Sequence, residues 1–153
     1  MLKTIRYLVL VFCLFAVARV DVRQRRIPNW QLCLMFFVRT ILLMAECVSQ
    51  KEAWVNIIGS FAGGLILGGG IFLVCYVVER AVVGAGDVKL MAVVGYYIGA
   101  NQILEMIFLI LLSAAGYCVL LTIKNPTEVR KKIPFAPFVL LGTIIHIVIE
   151  NNR

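Results

Sequence analysis

Aspartate is nearly missing from this chain: two in 153 residues, Asp21 and Asp87, against six glutamates. Histidine occurs once, as His146, and proline four times. The five cysteines, Cys13, Cys33, Cys47, Cys75 and Cys118, form no C-x-x-C pair, which excludes the usual zinc and dithiol redox motifs. Most of them stand in apolar stretches, where a small buried side chain is their ordinary role. No metal and no cofactor are expected. Charge is scarce too, at 15% of residues, where soluble domains average about 25%. Disorder is excluded by the opposite feature, a hydrophobic fraction of 62%.

What is there is apolar length. Mean hydropathy is +0.98, and six apolar stretches follow one another: Tyr7–Val20, Trp30–Val48, Trp54–Val78, Val88–Ala100, Ile103–Ile123 and Pro134–Ile149. A membrane-crossing helix takes about 20 apolar residues, so the chain reads as an all-α, polytopic membrane bundle of about six helices in a single domain, 1–153. Val88–Ala100 is short for a span and reads as a part-depth helix or one lengthened by its flanks. Met1–Ala18 has the outline of a signal peptide, but the following Arg19 and the later spans favour a retained first helix.

The net charge of +7 would suggest nucleic acid in a soluble protein. Here it suggests basic loops beside a lipid bilayer, and no nucleic-acid partner is expected. The loops 19–29, 79–89 and 124–132 fall on one side and hold ten basic residues, among them Arg19, Arg23, Arg25, Arg26, Arg80, Lys89, Lys124, Arg130, Lys131 and Lys132. The other side holds Lys3, Arg6, Lys51 and Arg153. The positive-inside rule places the three basic loops in the cytoplasm and both termini outside.

Within the third stretch lie Gly59, Gly63, Gly64, Gly68, Gly69 and Gly70, a small-xxx-small pattern that lets helix backbones approach closely. Arg39 stands inside the second stretch, where a charge is costly and needs a partner; Glu46, Glu105 and a lipid headgroup are the candidates. His146 reads as a packed or outward-facing side chain.

The two aspartates fall in two of the basic loops. The first reads Asp21-Val-Arg-Gln-Arg-Arg-Ile-Pro-Asn29 and the second Gly84-Ala-Gly-Asp87-Val-Lys-Leu90. Taken singly, each has a bland account: Asp21 as a helix-end acid, Asp87 as a cap or first-turn acid behind a glycine turn. Gly84 and Gly86 permit unusual backbone and leave room for a neighbouring chain. Pro28 suits the start of a helix. Lys89 reads as an interfacial anchor. If the first and fourth helices pack side by side, however, the two carboxylates meet and share a proton. One then activates water while the other polarises a peptide carbonyl. That chemistry needs neither metal nor nucleophilic side chain. The rival reading is a scaffold or small transporter with an acidic ion or proton site.

These two loops, with Lys132-Ile-Pro-Phe-Ala-Pro-Phe138, resemble in order and spacing the motifs of the type IV prepilin peptidases, intramembrane aspartyl peptidases of the GxGD type. The resemblance implies that Asp21 and Asp87 are the catalytic pair. It implies that Arg26, Ile27, Pro28, Asn29, Gly84, Gly86, Lys89, Pro134, Phe135 and Pro137 support the site or contact substrate. It further implies a type IV pilin-like precursor as substrate, cut at the cytoplasmic face of the cytoplasmic membrane behind a short basic leader. The long members carry a large cytoplasmic domain after the first span, often with paired cysteines, and also methylate the product. Here Asp21 follows the first stretch almost at once, so the resemblance is to the short members, and a peptidase without methyl transfer is expected. Ala85 and Ala136 stand where the family often has Met and Gly, without loss of a reacting group.

Overall fold

The computed structural model describes residues 2–49, 54–79, 83–124 and 133–152. Over these the chain forms six helices: α1 (Leu2–Gln24), α2 (Asn29–Ser49), α3 (Trp54–Val78), α4 (Ala85–Ile98), α5 (Ala100–Lys124) and α6 (Ala136–Asn151). The all-α polytopic bundle expected from hydropathy is what forms. α2, α3 and α5 are long and apolar enough to cross a membrane. α1 matches them in length but carries Lys3, Arg6, Arg19, Asp21 and Arg23. Phe12, Phe37, Phe108 and Leu120 are exposed on the outer faces, as lipid-facing side chains are in a bundle whose solvent is hydrocarbon.

The shortness of α4 has a simple physical reason. It is the hub of the bundle, packed against α1, α2, α3 and α5. Leu90, Met91, Val93, Val94, Tyr97 and Ile98 are all buried along it. A helix enclosed by protein is apolar all round and has no need to match the bilayer, because non-helical backbone at membrane depth is tolerated where protein surrounds it. α4 therefore stops inside the bundle. Gly99 adopts φ +94°, a conformation open to glycine, its N–H donates to Gly95 O at 2.8 Å, and α5 begins at the next residue.

The α3–α4 seam uses the glycines. A Cβ on Gly64 would strike the Gly95 carbonyl oxygen, and one on Gly95 would strike that of Gly64. One on Gly68 would lie 2.5 Å from the Met91 carbonyl oxygen, and one on Gly69 2.8 Å from Ala92 Cβ. Gly63 faces Ala100. Gly59 and Gly70 face open space, so the packing role belongs to the middle of the cluster and not to its ends.

At the inner end of α4 a charged cluster closes the fold. Arg39 is fully buried. Its Nη2 pairs with Glu46 Oε2 at 2.9 Å and its Nε donates to Tyr96 O at 3.1 Å. Glu46 is the partner selected from the three candidates. Arg6 Nη1 stands 3.5 Å from Glu46 Oε1, and both guanidinium groups lie over the Phe61 ring, at 4.9 Å for Arg6 and 4.1 Å for Arg39. A cation at a helix C-terminus complements the dipole and the free carbonyls there. His146 is buried on α6, in agreement with a packed side chain.

Candidate active site

α1 runs on through Asp21 to Gln24, so Asp21 lies within the last helical turn and not beyond the helix, as the hydropathy boundary suggested. The turn is closed by Arg25, which takes φ +50° and donates its N–H to Asp21 O at 2.7 Å. This single bond caps the helix end and fixes the backbone that carries the acid. The side chain points inward, with 5% of the residue exposed. Its Oδ2 accepts the main-chain N–H of Ala136 at 3.0 Å.

Asp87 stands at the third position of α4, in the first turn, ahead of the apolar run that begins at Val88. Its Oδ2 accepts the Gly84 N–H at 3.1 Å, and its own N–H donates to Gly84 O at 3.0 Å. This is the glycine-turn cap the sequence implies. Burial raises the Asp87 carboxyl above its ordinary value; the Gly84 N–H partly offsets this, and the negative charge of Asp21 adds to the rise. The last turn of α1 and the first turn of α4 thus carry the two acids of this chain.

The two motif loops also touch. A Cβ on Gly86 would lie 3.3 Å from Ile27 Cβ, so the glycine leaves room for the neighbouring loop. Lys89 Nζ donates to Asn29 Oδ1 at 3.1 Å, a tie between the motifs that the anchor reading of Lys89 lacked. Pro28 is half-buried, and its carbonyl accepts the Gln31 N–H at 3.2 Å in the first turn of α2. Arg26 is exposed.

The third motif enters from α6. Phe135 is the residue before its first turn and Pro137 sits within that turn. The Phe135 ring packs on Phe72 of α3 with centroids 5.4 Å apart, and Phe138 packs on Tyr117 of α5 at 5.3 Å. Phe138 belongs to the core, and Phe135 packs against it. Pro134 and Pro137 are half-buried. Lys132, Arg130, Lys131 and Arg80 lie outside the described residues, as do Lys51 and Arg153.

The site residue that sequence reasoning missed is Ala136. It contributes a backbone N–H, and a backbone donor leaves no mark in residue type. Among the described residues no group of three or more His, Cys, Asp or Glu is arranged to hold a metal ion.

Residues 8–121 match the family model described as the type IV leader peptidase family. The chain is 30% identical over 138 residues to a protein of Bacillus subtilis (strain 168) named prepilin leader peptidase/N-methyltransferase, covering 90% of this chain and 52% of that one. It thus spans about half the length of this curated relative. No solved structure matches significantly. With both motif aspartates held at one end of a six-helix bundle and the family model matched over most of its length, the chain belongs to the type IV leader peptidase family.

Proposed function

We propose that this protein is an intramembrane aspartyl endopeptidase that removes the short basic leader from type IV pilin-like precursors. The observation that carries the reading is the meeting of the two motif loops, Gly86 against Ile27 and Lys89 Nζ on Asn29 Oδ1 at 3.1 Å, with Asp21 of α1 and Asp87 of α4 at that end of the bundle. The whole chain acts as one membrane-embedded domain, 1–153. Its aspartate end faces the cytoplasm, as the basic loops on that side favour. The basic surface there also suits a bilayer with anionic lipids.

The chemistry follows from the pair. Asp87, whose carboxyl burial raises above its ordinary value, serves as the acid and donates its proton to the carbonyl oxygen of the scissile peptide. Asp21 removes a proton from a water placed between the two, and the water oxygen bonds to the carbonyl carbon. The tetrahedral intermediate collapses as the C–N bond breaks. The departing amine takes the proton carried by Asp21, and the resulting acid's proton returns to Asp87. No metal or cofactor takes part.

The test is direct. Purified protein in lipid is incubated with a pilin-like precursor and leader removal is followed by mass. Asp21→Asn and Asp87→Asn should each abolish cleavage while the protein remains folded. Full activity in either variant, or loss of activity only on addition of a chelator, overturns the mechanism.

A further inference from the structure

α6 opens with a problem of unpaired amides. The first N–H groups of any helix have no partner within it. Here Phe138 N and Val139 N both donate to Phe135 O, at 3.0 and 3.3 Å, and Pro137 has no N–H to satisfy. That leaves Ala136, which is fully buried and out of reach of solvent, where an unmet donor is costly. Its partner is the carboxylate of Asp21, from a helix 115 residues away in the chain. The donor itself is held from two sides, by Phe135 on Phe72 and by Phe138 on Tyr117.

The same arrangement occurs at the other acid, where the Gly84 N–H ties Oδ2 of Asp87. In each aspartate one oxygen is engaged by a main-chain amide, and no other hydrogen bond to either carboxylate occurs among the described residues. We propose that the Ala136 N–H is a positioning donor for Asp21. It ties Oδ2, fixes the plane of the carboxyl group and leaves Oδ1 as the oxygen that meets the attacking water; the Gly84 N–H likewise ties Oδ2 of Asp87 and leaves its Oδ1 for the scissile carbonyl. The third motif then acts through its backbone, and its prolines serve to bring one amide to one place. This rests on the peptidase reading for its catalytic consequence, but the contact is testable without it.

The amide can be deleted without touching a side chain. An ester at this linkage, Ala136→lactic acid introduced by nonsense suppression into the full chain, replaces the N–H with oxygen. A matching ester, Phe138→phenyllactic acid, removes the first-turn bond to Phe135 O and leaves the Asp21 contact intact. Because the chain has only two aspartates, uniform [4-13C]-aspartate labelling gives two carboxyl resonances, assigned with Asp21→Asn and Asp87→Asn. The ester at 136 should move the Asp21 resonance alone and lower kcat by roughly 10–100-fold at unchanged KM, the loss expected when a reacting group is misplaced by about 1 Å. The ester at 138 should leave both resonances and kcat within about twofold of wild type, since it spares the reacting groups. An unmoved Asp21 resonance, an unchanged kcat, or an equal loss from the ester at 138 overturns the proposal. If the wild-type protein cleaves no precursor, the peptidase reading fails, and the resonances alone decide the contact.

Discussion

α4 carries Asp87 in its first turn, behind a glycine turn, and ends beside Arg39, which is wholly enclosed. The two polar groups are treated differently. Asp87 has one hydrogen bond to its carboxylate, and Asp21 likewise has one. Arg39 has a carboxylate, a carbonyl and three aromatic faces, those of Phe61, Tyr96 and Tyr97, and only its Nη1 lacks a hydrogen bond among the described residues. The inner cluster is matched because it bears on stability, where an unpartnered charge is expensive. The outer pair keeps one oxygen of each carboxylate without a hydrogen bond among the described residues, which under the proposed mechanism is where water and substrate are met.

The comparison breaks first at the aspartate end. Asp21→Asn or Asp87→Asn should lower kcat on the order of 10⁴-fold or more, the scale found when a member of a catalytic constellation is removed, with the unfolding midpoint in detergent unchanged or raised. At the inner end the signs invert. Arg39→Met leaves Glu46 without its closest cation and Tyr96 O without a donor, and should cost about 3–5 kcal/mol of stability, as for other broken buried pairs, with kcat of the surviving folded fraction near wild type. Adding Glu46→Leu together with Arg6→Met, which leaves no charge of the cluster unpartnered, should recover most of the loss. A triple variant as unstable as the single one would show that the ion pair is not what Arg39 contributes.

Between the ends, Gly64→Ala drives a methyl into the Gly95 carbonyl and should destabilise by about 1–3 kcal/mol through overpacking, read by the same unfolding curves. Gly59→Ala, which faces open space, is the paired control and should be neutral.

Acid and base sharpen the contrast further. At the end of α6, beyond the apolar run, burial pushes Glu150 up, but bonds from Lys3 (2.8 Å), Tyr7 and Gln102 (2.5 Å) outweigh it and bring the group from 4.5 to about 2. A lowered carboxyl stabilises the fold above its unfolded value, so this contribution is lost as pH falls from 4.5 toward 2, and Glu150→Gln should flatten the stability profile there. Asp87 is raised and has the opposite sign: its contribution is present below its unfolded value and disappears as pH rises through the folded one. Asp87→Asn should abolish that decline. The smallest effect is expected of Lys89→Met, which removes one exposed bond to Asn29 and should change kcat by no more than about threefold, given the modest net worth of such bonds.

Much of this was open to reading from residues. α3 begins and ends where its apolar run does, and Arg39 and Glu46 lie seven apart, two helical turns on one face. The motif loops named both aspartates and the glycines beside them. The hub position of α4 was less visible: its shortness is plain in the hydropathy, but what encloses it depends on how six helices pack. One signal was present and unused, since Gly95 and Gly99 form their own small-xxx-small pair, complementary to Gly64 and Gly68. The Ala136 contact had no signal at all, because every residue but proline carries the same amide and only the tertiary fold selects one. The α1 boundary was misplaced because charged Arg19 and Asp21 end a hydropathy window, while the helix ends by its own hydrogen bonds at Arg25.

The early stop of α4 has a consequence for the membrane as a barrier. Between the aspartate end and the Arg39 cluster, α1 and α4 set Leu10, Leu14, Leu90, Met91 and Val94, all fully buried. This apolar layer separates the two carboxylates from the buried Arg39–Glu46 pair at the other end of α4. Under the proposed function, water drawn to the aspartates meets this apolar layer, so cleavage at one face need not open a path for ions across the bilayer.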